Sequence, residues 1–304
     1  MSGYDVIGDI HGHADVLERL LRTMGYRETR GAYRHRQRTV IFVGDLIDRG
    51  PHQLRTLQIV RAMVEAGSAQ LVLGNHEFNA VAWATPDDRG GFSRPHTEKN
   101  RGQHEVFLAA VGEGSPRHRE WIEWFTSQPL WLDADGLRVV HACWDEASMR
   151  TLGSDHLTDE IVTAASGSAP FESIEIVLKG PEIDLGRAYL DKDGNRRDAA
   201  RLAWWDPGAT TLARAALIPG GATTPGGDPF PPLPDDPIDI GFIQEPNSAT
   251  PVLYGHYWRS GPEPRIDNPR AACLDWSVAK DGPLVAYRWS GERDLTDTNL
   301  VAVH

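Results

Sequence analysis

The sequence predicts an α/β fold built around parallel strands. Three times within the first 85 residues, a short apolar run is followed by a loop and then by apolar residues at helical spacing. Strands that alternate with helices in this way pair in parallel, because each helix returns the chain to the start of the next strand. In such sheets the loops at the carboxyl ends of the strands carry the functional residues.

Each of the three units consists of one strand and one helix. The predicted pairs are 4–10 with 14–24, 40–43 with 52–67, and 69–75 with 76–84. The strands are short and apolar, as expected for strands that are buried on both faces. The first two helices run into Gly25 and Gly67, and glycine is the residue that most often ends a helix.

The middle of the chain predicts a loop, two further helices and a hairpin. Residues 86–101 are polar and contain Gly-Gly and two prolines, which indicates a loop or lid. Amphipathic segments follow at about 102–112 and 116–126. The segment PLWLDADGLRVVHA (129–142) has two apolar runs joined by Asp-Ala-Asp-Gly, which predicts a hairpin with His141 at the end of its second strand.

The last part of the chain is less regular. Residues 145–250 show the weakest periodicity and end in a passage rich in proline and glycine. TPVLYGHYW (250–258) predicts a strand that runs into a loop, and 271–289 predicts a hairpin with its turn at 280–282. We interpret residues 1–304 as a single domain with an atypical insertion or lid at about 145–250.

Composition excludes several classes of protein. The formal net charge of −12, from 43 acidic and 31 basic residues, argues against general nucleic-acid binding, because a phosphate backbone would be repelled. Cys143 and Cys273 are the two cysteines, too few for a disulfide scaffold of this size. No leader-like amino terminus and no window of 18 apolar residues is present, so we expect a cytoplasmic protein without a membrane span.

Residues able to bind a metal ion stand where the predicted strands end, and they are Asp9, His11, Asp45, Asn75, His76, His141 and His256. Imidazole nitrogens with carboxylate or amide oxygens, and no thiolates, suit a divalent ion such as manganese, iron, cobalt or zinc. The set exceeds what one tetrahedral ion needs, which favours two ions that share a bridging carboxylate. Such pairs clamp the attacking and leaving oxygens of a phosphoryl displacement.

The motifs GDIHGH (8–13), GDLIDRGP (44–51), GNHE (74–77), VHA (140–142) and YGH (254–256) occur in this order along the chain. This series resembles the signature of the calcineurin-like metallophosphoesterases. The resemblance is to the phosphoprotein-phosphatase branch, which includes bacterial serine/threonine phosphatases and symmetrical diadenosine tetraphosphatases. It implies a four-layer α/β/β/α sandwich of two mixed sheets, with a dinuclear metal site at the strand ends.

The resemblance also implies a role for each motif residue. Asp9, His11 and Asp45 would hold the first ion, and Asp45, Asn75, His141 and His256 would hold the second. His76 would be the acid for the leaving oxygen, oriented by Asp48, and Arg49 together with Asn75 would bind the phosphate. We expect two divalent ions, with manganese ahead of iron, zinc, cobalt or nickel, and a metal-bridging hydroxide as nucleophile.

The chain departs from the family pattern beside two motifs. Leu73 stands where a basic residue usually precedes GNHE, and Ala142 begins a segment that is usually rich in glycine. A second phosphate-binding arginine has only candidates, namely Arg187, Arg201 and Arg214. The pair Trp204-Trp205 fits either core packing or stacking on a nucleobase.

These patterns support three hypotheses of function. The first is hydrolysis of phosphomonoesters, including phosphoserine or phosphothreonine on proteins. The second is hydrolysis of a symmetrical dinucleoside polyphosphate such as diadenosine tetraphosphate. The third is a non-catalytic, metal-dependent binding module, which the presence of His76, Asp48 and Arg49 disfavours, because a scaffold needs neither an acid nor a phosphate clamp. The expected partner is a phosphorylated small molecule, a nucleotide or a phosphoprotein.

Overall fold

The computed structural model describes residues 3–191, 194–238 and 250–304. The chain divides into two compact units, one of residues 1–178 with 249–304 and the other of residues 179–248. The strands of the larger unit are β1 (Gly3–Ile7), β2 (Arg27–Thr29), β3 (Ala32–Arg34), β4 (Arg38–Phe42), β5 (Ala69–Leu71), β6 (Trp131–Asp133), β7 (Arg138–Val140), and four described below. Its helices are α1 (Ala14–Thr23), α2 (Gln53–Glu65), α3 (Asn75–Ala84), α4 (Glu98–Val111), α5 (Pro116–Thr126), α6 (Glu146–Leu152), α7 (Asp159–Val162) and α8 (Ala169–Lys179).

The first sheet contains the three predicted β-strand and helix units. In chain order its strands are β1, β4, β5, β13 (Leu284–Trp289) and β14 (Leu300–Val303), and in space they lie in the order β14-β13-β1-β4-β5. β1, β4 and β5 pair in parallel, whereas β13 is antiparallel to both of its neighbours. The prediction of parallel pairing is therefore confirmed, and the loops after β1, β4 and β5 share one edge.

The second sheet has the order β12-β11-β7-β6, where β11 is Val252–Tyr254 and β12 is Ala271–Cys273. The predicted hairpin forms β6 and β7, and β11 and β12 extend it in parallel. Val6 and Ile41 from the first sheet and Val139 and Leu253 from the second belong to one buried apolar cluster. The two mixed sheets thus pack face to face, and α1 and α2 contact the first sheet, as in the predicted sandwich.

The predicted hairpin at 271–289 is wrong. β12 pairs with β11 in the second sheet, while β13 pairs with β1 and β14 in the first. The segment between them crosses from one sheet to the other through a short 3-10 helix at Val278–Lys280, flanked by Ser277 and Asp281 in left-handed conformation (φ 61° and 64°). Two apolar runs around a turn look alike whether they pair with each other or with different neighbours.

The polar segment 86–101 is a loop only up to residue 97. The side chain of Thr97 accepts a hydrogen bond from Asn100 N and begins α4 at Glu98, four residues earlier than the predicted helix. None of the helices formed by residues 3–191, 194–238 and 250–304 combines the length and apolar character needed to cross a lipid bilayer.

The smaller unit is built on an antiparallel sheet of β8 (Glu182–Leu190), β9 (Arg196–Leu202) and β10 (Ala216–Leu217), with the short helix α9 (Leu212–Ala215). Trp204 and Trp205 are buried in it, with their rings in edge contact. Within this unit, Arg201 and Arg214 form ion pairs with acidic neighbours, and the Arg187 guanidinium lies over a phenylalanine ring. The lid role for residues 145–250 stays a prediction.

A buried carboxylate ties β1 to its neighbours at the amino-terminal end of the first sheet. Asp5 is 0% exposed and accepts hydrogen bonds from Arg38 Nε at 2.7 Å, Arg288 Nε at 3.1 Å and the Tyr26 hydroxyl at 3.0 Å. Removing one member of such a group leaves buried charges without compensation, which costs far more than losing an exposed pair.

We expect Asp5→Ala to lower the free energy of unfolding by about 3–5 kcal/mol, because two guanidinium groups lose their carboxylate. Urea denaturation of the metal-free protein measures this. As a control, Asp294→Ala breaks the exposed Arg270–Asp294 ion pair at 3.3 Å and should cost less than about 1 kcal/mol. Equal losses for the two variants would contradict the account of Asp5.

Candidate metal centre

Five strand ends from the two sheets meet at one buried site. β1, β4 and β5 lead into His11, Asp45 and His76, while β7 and β11 lead into His141 and His256. His11, Asp45 and His76 form one group of potential ligands, and Asp45, His141 and His256 form a second. Within each group the ligand atoms lie within 4.8 Å of one another, and Asp45 belongs to both.

The Asp45 carboxylate stands between the two groups. Its Oδ2 atom is 3.6 Å from His11 Nε2 and 3.8 Å from His76 Nε2, and its Oδ1 atom is 3.4 Å from His141 Nε2. Asp45 and His11 are each 2% exposed and His141 is 0% exposed, so water cannot satisfy these atoms freely. A carboxylate that faces ligand nitrogens on both sides has the arrangement of a bridging ligand.

The histidine tautomers place lone pairs against oxygen atoms. His141 Nδ1 donates to the Val43 carbonyl at 2.7 Å, so in the neutral ring Nε2 is an acceptor. That Nε2 lies 3.1 Å from Asn75 Oδ1 as well as near Asp45. His11 Nδ1 likewise donates to the Ile47 carbonyl at 2.9 Å, and among the residues that the structure describes its Nε2 has no hydrogen-bond partner. Acceptors that face one another in a buried site fit a shared cation.

The protonation states also suit metal binding. Burial lowers the pKa of His11 to about 3, so the imidazole is neutral at physiological pH. Burial opposes ionisation of Asp45, but the neighbouring rings of His141, His76 and His11 lower its pKa to about 2. Neutral imidazole and ionised carboxylate are the forms that bind metals.

Asp9 adds a second buried carboxylate at the same place. Its oxygens accept the His256 backbone N–H at 3.1 and 3.3 Å. Burial and the nearby carboxylates of Asp275 and Asp45 raise the pKa of Asp9 well above its usual range. Crowded buried acids repel one another unless a cation neutralises them, so this cluster also fits divalent ions.

The ligand loops have unusual backbone conformations. His11, Asp45 and His256 have φ angles of 45°, 50° and 72°, a region that non-glycine residues seldom occupy. The buried Glu77 carboxylate supports the Asp45 loop by accepting the backbone N–H groups of Asp45 and Leu46 at 2.8 Å each. Such strain persists only where surrounding contacts hold it, and it is concentrated at functional sites.

Two motif glycines allow the loops to approach the carboxylates. A Cβ atom on Gly74 would lie 2.2 Å from Asp45 Oδ1, and one on Gly255 would lie 2.0 Å from Asp9 Oδ1. Any larger residue would displace the carboxylates that the site requires.

His76 is held by a carboxylate that also binds a second histidine. His76 Nδ1 lies 2.5 Å from Asp48 Oδ2, and His104 Nδ1 lies 2.9 Å from Asp48 Oδ1. Burial alone would lower the pKa of His76, but the carboxylates of Asp45 and Asp48 raise it above its ordinary value. Burial opposes ionisation of Asp48, yet the hydrogen bonds from His104 and His76 hold the pKa of that carboxyl well below its usual range.

Arg49 lies at the edge of the site. Its side chain is exposed, and its Cζ atom lies 4.1 Å from the centre of the Trp258 ring. The Trp258 ring is itself 6.4 Å from the His11 ring. Because the guanidinium is exposed at the edge of the site, it is accessible to a ligand.

The structure thus brings together the motif residues that the sequence singled out, while Arg187, Arg201 and Arg214 belong to the other unit. Sequence reasoning missed His104, although it lies on the buried face of α4 with Phe107, Leu108 and Val111 at helical spacing. It also missed Asp275, which lies two residues beyond the end of β12, because the sequence of that segment predicts a hairpin.

Comparison with known proteins gives a family match. The sequence model of the calcineurin-like phosphoesterases matches residues 4–166, more than half of the chain. An asymmetrical bis(5'-nucleosyl)-tetraphosphatase of Oceanobacillus iheyensis is 41% identical over 142 residues, which cover 45% of this chain and 54% of the relative. A symmetrical bis(5'-nucleosyl)-tetraphosphatase of Vibrio cholerae is 30% identical over 154 residues, 49% of each protein. The chain spans about half the length of these curated relatives.

Solved structures show a similar fold. A protein serine/threonine phosphatase from Saccharomyces cerevisiae aligns with a TM-score of 0.53 and 15% identity, covering 99% of this chain and 78% of the other. A cold-active protein tyrosine phosphatase aligns with a TM-score of 0.51 and 16% identity, covering 100% and 79%. Both likenesses concern the fold.

The Asp48–His76 pair predicts a pH window of stability. The raised pKa of His76 contributes stability below its unfolded value of about 6.5, and this is lost as the pH rises through the folded pKa. The lowered pKa of Asp48 contributes stability above its unfolded value of about 3.9, and this is lost in acid. The pair therefore stabilises most between about pH 4 and 6.5.

We expect the difference in unfolding free energy between wild type and Asp48→Asn, measured in urea on metal-free protein, to peak in that window and shrink on both sides. Asp88→Asn alters an exposed carboxylate and serves as the control, with a small and flat difference. If the effect of Asp48→Asn did not vary with pH, Asp48 and His76 would not form a charged pair in the folded protein.

Proposed function

Because the chain belongs to the calcineurin-like phosphoesterase family, we propose that its buried site binds two divalent ions and hydrolyses phosphoanhydrides of dinucleoside polyphosphates. The observation that carries the metal site is the position of Asp45 between His11 and His141, whose Nε2 atoms lie 3.6 Å and 3.4 Å from its two oxygens. The family implies divalent ions, and manganese is our proposal for their identity.

We divide the proposed ligands between two ions that share Asp45. Asp9, His11 and Asp45 would hold one ion, and Asp45, Asn75, His141 and His256 would hold the other. Bound there, the two ions would polarise the phosphate and lower the pKa of water toward neutrality. The protein supplies the neutral imidazole of His11, the ionised carboxylate of Asp45 and a site largely shielded from solvent.

His76 is suited to donate a proton to the leaving oxygen. Its Nδ1 atom is held by Asp48, so Nε2 faces the site, 3.8 Å from Asp45 Oδ2. The neighbouring carboxylates favour the imidazolium, which carries the proton at Nε2. His104 completes the support of Asp48 and keeps its carboxylate ionised and fixed in orientation.

Arg49 is suited to hold non-bridging phosphate oxygens. Its guanidinium is open to ligand, offers a fork of donors and lies against the Trp258 ring beside His11. Stacking on an aromatic ring limits the motion of the side chain before the substrate arrives. Asn75, at the start of α3, stands beside the same site and offers its amide oxygen.

The proposed substrate class is supported by the relatives, which are bis(5'-nucleosyl)-tetraphosphatases of both the asymmetrical and the symmetrical type. The second candidate is hydrolysis of phosphomonoesters, including phosphoproteins, because the same ligand set and acid serve either bond. A non-catalytic binding module is the third possibility to be tested.

His76→Ala should leave the metal content near that of wild type and lower kcat by about 10²–10⁴-fold, because the proton donor is lost and the ligands remain. Metal analysis and steady-state kinetics measure the two quantities. Asp45→Asn should instead remove both activity and metal. The matched control is His156→Ala, which removes an exposed histidine that contacts Asp155. Loss of both ions from His76→Ala would mean that His76 is a ligand.

Metal-loaded protein should hydrolyse diadenosine tetraphosphate with a higher kcat/KM than p-nitrophenyl phosphate, its bis-ester or a phosphopeptide. Chromatography of the nucleotide products separates symmetrical cleavage into two diphosphates from asymmetrical cleavage into a triphosphate and a monophosphate. Preference for the monoester or the phosphopeptide would favour the second candidate. No turnover of any substrate would favour the binding module.

A further inference from the structure

Arg94, in the loop between α3 and α4, is a half-buried cation held by neutral groups. Its guanidinium donates to Asn79 Oδ1 at 2.7 Å, to Asn100 Oδ1 at 3.2 Å and to Gln103 Oε1 at 2.9 Å. Amide oxygens carry no formal charge, so these bonds orient the guanidinium without cancelling its charge. Within the described part of the chain they use three of its five N–H donors, and the bond to Gln103 lies at the surface, where a ligand can approach.

The side chain of Arg94 points along α3 toward the metal centre. The Arg94 backbone N–H donates to the Ala82 carbonyl at 3.0 Å, and the guanidinium reaches Asn79, which lies one turn nearer the start of the helix. Asn79 shares a face of α3 with His76, because residues three apart are neighbours on a helix. The guanidinium is therefore directed toward the end of α3 that carries the proposed acid.

The second helix that holds Arg94 also carries the support of that acid. Asn100 lies one turn before His104 on α4, on the same face of the helix. His104 Nδ1 and His76 Nδ1 lie 2.9 Å and 2.5 Å from the two oxygens of Asp48. The turns of α3 and α4 that hold Arg94 are thus next to the turns that hold the Asp48 carboxylate between its two imidazoles.

The guanidinium of Arg94 stays charged in this position. Burial lowers the pKa of Arg94 from its ordinary value, whereas the carboxylates of Asp48 and Glu175 act in the opposite direction. Because the ordinary pKa of arginine exceeds 12, the side chain remains a cation. The two acids act through space, since the hydrogen bonds of Arg94 go to amides. An oriented guanidinium that reaches the surface is suited to bind phosphate oxygens.

We propose that Arg94 binds the phosphate of the departing nucleotide, on the side of the metal centre where His76 donates its proton. This inference rests on the proposed function and deepens it, because the leaving group carries phosphate in a dinucleoside polyphosphate and carries none in a phosphomonoester. When water adds to the attacked phosphorus, the P–O bond to the leaving group breaks. The leaving oxygen keeps the bonding electrons and takes the proton from His76 Nε2, and a proton of the attacking water later restores the imidazolium. The other oxygens of the departing phosphate face Arg94, whereas Arg49 holds the attacked phosphate.

The test compares Arg94→Met with Arg89→Met, which removes an exposed arginine from the same loop. The measured quantity is the ratio of kcat/KM for diadenosine tetraphosphate to that for bis(p-nitrophenyl) phosphate, with manganese. In both compounds the attacked phosphorus carries two substituents, but only the tetraphosphate has a phosphate in its leaving group. Arg94→Met should lower the ratio about tenfold or more, as expected for loss of one hydrogen bond to a charged group. Arg89→Met should leave the ratio unchanged.

Asn79→Asp separates phosphate binding from a purely structural role of Arg94. The carboxylate keeps the contact with Arg94 Nη1, so the loop stays attached to α3, but it neutralises the guanidinium. The ratio should therefore fall in Asn79→Asp as it does in Arg94→Met. A ratio at the wild-type value in either variant, or an equal fall in Arg89→Met, would overturn the proposal. Circular dichroism checks folding, and Asn79→Asp decides the question alone if Arg94→Met does not fold.

If wild type does not cleave the tetraphosphate, the proposed substrate fails, and the phosphate site is tested by calorimetry on manganese-loaded protein. Methylenediphosphonate, a diphosphate mimic that is not hydrolysed, should bind more tightly than methylphosphonate, and Arg94→Met should remove this difference. Equal binding of the two anions to wild type, or the same difference in Arg94→Met, would overturn the site. Saturating manganese in the buffer keeps the metal centre loaded during the titrations.

Discussion

The Asp45 carboxylate is 2% exposed and lies within 3.8 Å of imidazole nitrogens from His11, His76 and His141. A charge in this position is tolerated only if the surrounding groups compensate it. The larger unit supplies these groups by bringing the carboxyl ends of strands from both sheets to the two oxygens of Asp45. The face-to-face packing of the sheets supplies this convergence, since their shared apolar cluster fixes the distance between His11 and His141.

The backbone around Asp45 is shaped by the same constraint. Left-handed conformations at His11, Asp45 and His256 turn the side chains inward, and Glu77 binds the backbone N–H groups that the turn leaves without partners. The Asp48 carboxylate likewise holds the His76 ring through a hydrogen bond, and it accepts a second hydrogen bond from His104. Strain at the site is thus compensated by hydrogen bonds that buried carboxylates accept, and Arg49 lies exposed at the edge.

Most of the fold could be predicted from the sequence because the parallel units have short, apolar strands and helices with clear ends. The donor residues could be placed for the same reason, since a residue that follows a strand must lie at the edge where neighbouring parallel strands also end. Partner choice among strands could not be predicted. Residues 271–289 contain two apolar runs and a turn, yet β12 and β13 lie in different sheets.

That error concealed a buried acid beside the site. Asp275 lies two residues beyond the end of β12, and its carboxylate accepts the Trp258 backbone N–H. His104 was missed for another reason, since one histidine on the apolar face of a helix does not reveal which distant carboxylate it meets. Long-range pairings of this kind are set by packing of α4 against the site and have no local signature.

The central claim is that Asp45 bridges two metal ions. Anomalous diffraction from crystals of manganese-loaded protein, recorded on both sides of the manganese absorption edge, tests it most directly. The account predicts two anomalous peaks on opposite sides of the Asp45 carboxylate, one beside His11 and the other beside His141 and His256. A single peak, or two peaks of which only one contacts Asp45, would contradict it.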